Sequence, residues 1–147
     1  MSAMEHSGHT IARDCIAMRV RLLNRVVTKV YDDCLRPHGL RAAQMNILVA
    51  VSLMKSASPS EIERRLYLEK STVSRNVDRM RQRGWLKFAP AKDGRSHQLQ
   101  LTPRGAKLLS QVITPWKQAQ QKAESLMGKD GVTNLSRIEA ALIAQSM

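Results

Sequence analysis

Aromatic side chains are nearly missing from this sequence: two Trp, two Tyr and one Phe make up 3% of 147 residues. That argues against a protein that grips single-stranded nucleic acid by stacking bases on rings. Cysteine is as scarce, and two of them do not build the disulfide framework of a small secreted domain. Acidic residues are outnumbered, 12 Asp and Glu against 24 Lys and Arg, for a formal charge of +12. Such an excess draws polyanions, nucleic acid first, with an anionic membrane surface or an acidic protein as alternatives. Long apolar runs are also absent. The most apolar stretch, Met45 to Met54, is about half of what a bilayer crossing needs and contains Ser52. The opening MSAMEHSGHT has no apolar signal-peptide core, so it reads as a loose arm on a cytoplasmic protein with no membrane partner.

Catalytic signatures are missing as well. No glycine-rich phosphate loop, nucleophile elbow or supported carboxylate pair occurs, so no catalytic residue, no cofactor and no enzyme activity are expected. His6, His9, His38 and His97 lack the spacing of a zinc site, and no metal is expected.

What is present concentrates between Ser58 and Leu101. Ser58 can cap a helix whose first position is Pro59 and whose Glu61 stands three residues after the cap. Ile62 and Leu66 give that helix one apolar edge. After a short turn a second helix begins near Ser71, with Val73, Val77 and Met80 as its inner stripe. At about 100 degrees per residue, Ser71, Thr72, Arg75, Asp78, Arg79 and Gln82 fall on the opposite side, which has no large apolar residue.

Hydroxyls and arginine near a helix start suit the DNA major groove, where Arg pairs bidentately with guanine. Ser71, Thr72, Ser74, Arg75 and Asn76 are therefore the expected base or near-base contacts, with Arg79 and Arg83 expected on the backbone. Standing alone, the same helix reads equally well as an ordinary solvated face. It is followed, however, by Gly84 and by Leu86, Phe88, Leu99 and Leu101 alternating around an Asp-Gly turn, a hairpin signal. Its tip would project Lys92 towards phosphate and Arg95 towards a narrow minor groove, with Asp93 either orienting an arginine or forming the turn.

STVSRNVDRMRQRGWLKF followed by AKDGRSHQLQLTPRGAKLL resembles the MarR-type winged helix-turn-helix regulators. It looks like their recognition helix, their Asp-x-Arg wing and their leucine-threonine-x-x-glycine exit into a long helix. The resemblance implies a mainly α fold with a small β-hairpin wing, flanked by N- and C-terminal dimerisation helices. It further implies a homodimer on a pseudo-palindromic operator, often released by a small molecule or by oxidation.

The flanks fit that outline. Ile11, Cys15, Met18, Leu22, Val26, Val30 and Cys34 recur at helical steps up to a stop at Arg36-Pro37-His38-Gly39. Leu40 to Met54 is apolar almost all round and hence expected to be buried. After Thr102-Pro103, another cap, Leu109, Val112, Trp116, Ala119, Ala123 and Leu126 form a narrow seam for a partner or for the chain itself; Pro115 should bend this helix and Gly128 end it. The expected layout is an arm over 1–10, a dimerisation helix over 11–36, the DNA-binding module over 37–102 and dimerisation helices over 103–147.

Some peroxide-sensing members of the family carry a cysteine in the first helix, which makes Cys15 a redox candidate. Against this, Cys15 and Cys34 both sit on the apolar stripe, where a free cysteine is more often a small core residue. On one continuous helix they would lie about 28 Å apart, too far to bridge. The favoured reading is a sequence-specific double-stranded DNA-binding regulator, a dimeric and ligand-responsive repressor, with Met18, Met45 and Trp116 as a possible cavity lining but no effector residues assigned. The alternatives are a nonspecific basic architectural protein, a cysteine-based redox regulator and a winged-helix protein-interaction module.

Overall fold

The chain was analysed as a computed structural model that describes residues 2–145. Its elements run α1 (Ala3–Asp14), α2 (Ile16–Leu35), a 3-10 turn (Arg36–His38), α3 (Ala42–Met54), α4 (Pro59–Leu66), α5 (Lys70–Gln82), β1 (Leu86–Pro90), β2 (His97–Leu101), α6 (Pro103–Gln111) and α7 (Ile113–Gln145). Residues 1, 146 and 147 of the expected arm and last helix lie outside the described residues.

The winged module forms much as its local signals suggest. Ser58 and Glu61 close a reciprocal cap: the Ser58 amide donates to the Glu61 carboxylate at 2.7 Å, and the Glu61 amide to the Ser58 hydroxyl at 3.3 Å. Those bonds hold the Glu61 carboxyl below its ordinary range. Ile62 is buried on α4, and Val73, Val77 and Met80 are buried on α5. They meet α3, whose Met45, Ile47, Leu48 and Val51 are the centre of the core, together with Leu35, Leu40, Trp85, Leu86 and Leu99. Burial of that many apolar side chains, worth about 1.5–3 kcal/mol each, is the main force holding α3, α4 and α5 together.

The hairpin pairs Leu86 with Leu101, Phe88 with Leu99 and Pro90 with His97. It gains a third backbone segment that no sequence pattern announces: Ala57, between α3 and α4, exchanges two backbone hydrogen bonds with Leu99, at 2.7 and 3.1 Å. At the tip, Gly94 takes the left-handed conformation and Asp93 ties the loop, accepting from the Arg95 amide at 3.1 Å and from the Ser96 amide and hydroxyl. Of the two roles left open for Asp93, forming the turn is the one observed. At the exit, the Thr102 hydroxyl donates to the Gly84 carbonyl and accepts from the Gly105 amide at 3.0 Å, starting α6. Gly105 is required there because a Cβ would meet the Trp85 carbonyl oxygen at 2.1 Å.

The flanks depart from expectation in three places. Residues 3–10, expected to be a loose arm, are helical, because Ser2 and Glu5 form a reciprocal cap in a segment whose polarity hides it. The expected continuous helix from Ile11 is interrupted at Cys15, which is extended; Arg13 pairs with Asp14, and the Arg19 guanidinium donates to the Arg13 carbonyl at the end of α1. The seam, open to a partner or to the chain itself, is used in part within the chain. Val112, Ala119 and Ala123 are buried within the chain, where α7 packs along α2 and the Tyr31 hydroxyl donates to Gln120. Pro115, expected to bend one long helix, instead follows a break: α6 ends at Gln111, and Val112 separates it from α7. Gly128, with φ at 71° and ψ at 165°, is non-helical and ends one helical stretch before another begins within α7, as expected.

Two outcomes are expected from this geometry. Gly105→Ala should cost about 1–3 kcal/mol or more in a denaturant titration, since the Trp85 carbonyl is backbone and cannot move aside cheaply. The Arg95 amide holds the Asp93 carboxyl below the usual carboxylate range, with Ser96 assisting. A carboxyl depressed in the folded state contributes above its ordinary pKa and loses that contribution as pH falls through the folded value. Hydrogen exchange at the Arg95 and Ser96 amides should therefore accelerate, relative to amides in α3, as the pH is lowered below the ordinary carboxylate range. Asp93→Ala should remove that pH dependence.

Candidate nucleic-acid interface

The site is the outer face of α5 with the hairpin beside it. Glu69, extended and without a side-chain cap, precedes the helix, and α5 begins at Lys70, the neighbour of Ser71. The preceding turn is made by Tyr67, which adopts the left-handed conformation at φ 51° although it is not glycine. Its side chain is 71% exposed.

Ser71, Ser74, Arg75, Asp78 and Arg79 are exposed along α5, while Thr72 and Asn76 are half-buried. The Asn76 amide donates to the Thr72 carbonyl at 2.9 Å, one turn back on its own helix. Asn76 therefore spends one amide N–H on its own helix and keeps the other N–H and the carbonyl oxygen. The ion pairs found among the described residues are Arg13–Asp14, Lys29–Asp33 and Arg36–Asp33, so the Arg75 and Arg79 guanidinium groups stand in water without a carboxylate partner.

Arg83, grouped with Arg79 by sequence, is differently engaged. Its guanidinium donates to the Gly39 carbonyl at 2.9 Å and lies 5.1 Å from the Trp85 ring centre. It links the end of α5 to the turn after α2. Sequence reasoning missed Arg81 and Lys70. Arg81 stacks 4.4 Å over Phe88, whose other neighbour is the His97 ring at 5.8 Å, so α5 is bound to the wing through an exposed stack. Only the fold brings those three residues together. Lys70, by contrast, sits beside Ser71 at the helix start and shares its exposure. Its position at the start of the helix was the available signal.

On the wing, Lys92 and Arg95 are exposed on either side of the turn that Asp93 organises. The start of α5 adds the partial positive charge of its free amides, so both elements present positive potential.

The other candidates are separate from this face. Cys15 and Cys34 are free and half-buried, with Lys122 Nζ 3.7 Å from the Cys34 sulfur. Among the described residues no group of three or more His, Cys, Asp or Glu could hold a metal, and no helix is long and apolar enough to cross a membrane. Met45 and Trp116 do share a cleft, of about 340 Å³, with Val49, Val112 and Ile113; Met18 is not part of its lining.

Comparison with known proteins shows what this geometry is similar to. The model of the MarR family matches residues 38–96, from the turn before α3 to the wing. The HTH-type transcriptional regulator PecS of Dickeya dadantii is 28% identical over 130 residues, covering 83% of this chain and 76% of PecS. Among solved structures, a mutant MarR from Escherichia coli complexed with operator DNA superposes with a TM-score of 0.80 at 20% identity, covering 90% of this chain and 96% of that one. BpsR of Bordetella bronchiseptica, whose DNA binding is regulated by 6-hydroxynicotinic acid, gives 0.78 at 16% identity, covering 88% and 93%. At those identities the structures show a shared fold, and the sequence matches make the winged module, residues 38–96, similar to the MarR family of transcriptional regulators.

Proposed function

We propose that the chain binds double-stranded operator DNA as a homodimer and represses transcription in a way that a small molecule relieves. The observation carrying this reading is the unpaired, exposed row of Ser71, Ser74, Arg75 and Arg79 beside Lys92 and Arg95. In it, Arg75 reads a base edge, Ser71, Thr72 and Ser74 contact bases or phosphates, Arg79 and Lys92 take backbone phosphates and Arg95 enters the minor groove. Asn76 contributes through its second N–H and its carbonyl oxygen, and Arg83 acts from the far end of the helix. Asp93 shapes the wing. The operator complex of the Escherichia coli relative supports the partner, and the small-molecule control of BpsR supports the responsive element.

Dimerisation rests on apolar surface that a lone chain leaves in water. Ile16, Met18, Val20, Leu22, Leu23 and Val26 are exposed on α2, and Leu126, Leu135 and Ile138 on α7. A monomer rarely leaves so many large apolar side chains on two helices open to water. Two recognition helices related by symmetry also read two spaced half-sites, as a pseudo-palindrome requires.

Arg75→Ala should cost about 1–3 kcal/mol and relax preference at one base position, whereas Lys92→Ala should weaken all duplexes alike and lower the salt slope by about one. Competition by random duplex that matches the operator at physiological salt would instead support the nonspecific architectural reading. Ile138→Glu should convert the dimer to monomers in sedimentation velocity and abolish tight operator binding with helical content retained. A variant that stays dimeric would place the interface elsewhere.

A further inference from the structure

A second concentration of positive charge lies away from the base-reading face. Where the end of α5 and the start of β1 meet the first turns of α6 and the turn after α2, a cleft of about 530 Å³ opens, lined by His38, Arg83, Arg104 and Lys107 over the buried Trp85 and Leu108. No carboxylate lines it, and the ion pairs found among the described residues engage other basic side chains. Arg83, the cap residue of α5, lies four residues beyond Arg79 and twelve beyond Ser71, about 18 Å from the start of the reading helix at the helical rise.

The groups are arranged for an anion with several oxygens. Arg83 is held in place by its bond to the Gly39 carbonyl and its stacking on Trp85, which use one of its five N–H donors and leave the rest available. Arg104 and Lys107 are three apart on α6, hence on one face, and both are exposed. Like charges gathered around a concavity repel one another until a counter-charge enters, and guanidinium groups match tetrahedral oxyanions better than an ammonium does. We propose that this cleft is a phosphate-binding site separate from the base-reading face, with Arg83 and Arg104 gripping the oxygens and Lys107 adding a mobile third charge. Because Arg83 also links α5 to the turn after α2, the occupant touches the joint between the reading helix and the long N-terminal helix. The phosphate comes either from the DNA backbone flanking the operator or from a small phosphorylated molecule.

Calorimetry with inorganic pyrophosphate on the full chain tests the site. Wild type should bind it saturably, and Arg104→Gln/Lys107→Gln should weaken that binding at least about tenfold, the scale of one lost charged hydrogen bond. Lys107→Gln alone, at an exposed position, should keep the wild-type melting temperature and show a smaller loss. Binding that does not saturate, or that the double variant retains unchanged, overturns the site. Its source is read from duplexes: if extending the operator at its flanks tightens wild type but not the double variant, the backbone supplies the phosphate. If extension does nothing and pyrophosphate shifts operator affinity in wild type only, a free phosphorylated molecule does. Arg75→Ala should leave pyrophosphate binding intact, so failure of this site and failure of the operator reading are separable.

Discussion

Three backbone segments meet at the exit of the hairpin, and their contact decides where the wing sits relative to the reading helix. The Thr102 hydroxyl bridges the Gly84 carbonyl and the Gly105 amide, while the Thr102 amide donates to the Trp85 carbonyl at 3.1 Å. The end of α5, the root of β1 and the start of α6 are thereby one rigid corner. A two-stranded hairpin is marginal on its own. This one inherits its order from the corner, from the Ala57 rung on Leu99 and from Phe88 clasped by Arg81. The wing can therefore present Lys92 and Arg95 at a fixed offset from Arg75 without a large sheet behind it.

Stability and function draw on different parts of the composition. The core is apolar, with Gln44 as its one buried polar side chain among the described residues. The ion pairs, Arg13–Asp14, Lys29–Asp33 and Arg36–Asp33, are exposed and contribute little. Most basic residues do nothing for the folded state and repel one another, a cost that an approaching polyanion removes. The same surplus that weakens the isolated chain thus strengthens its attraction to DNA.

Elements with local signals were legible in the sequence. Ser58 with Glu61, the Val73–Val77–Met80 stripe and the Asp-Gly turn each encode their structure within a few residues, and so does the outward placement of Arg75. Features that depend on distant chain were not. Nothing near Ala57 announces a rung on Leu99, nothing near Arg83 announces the Gly39 carbonyl, and nothing near Tyr67 announces a left-handed turn in a residue that pays steric strain for it. The seam on α7 had the right period but could not name its partner, since Ala119 and Ala123 pack as well in their own chain as across a dimer. Ser2 was overlooked because a capped polar helix and a loose polar arm have the same composition.

Besides the burial of Leu35, one hydrogen bond ties α2 to the central helix. The Asp32 carboxylate, on α2, accepts from the Ala42 amide at 2.8 Å and so caps α3 across the intervening turn. α3 is enclosed along most of its circumference and cannot rotate by itself. A tilt of α2 must then either sever that cap or carry α3, and with it α4 and α5, as a single crank. In the dimer proposed above, whatever sets the angle between the two copies of α2 is accordingly translated into the spacing of the two α5 helices.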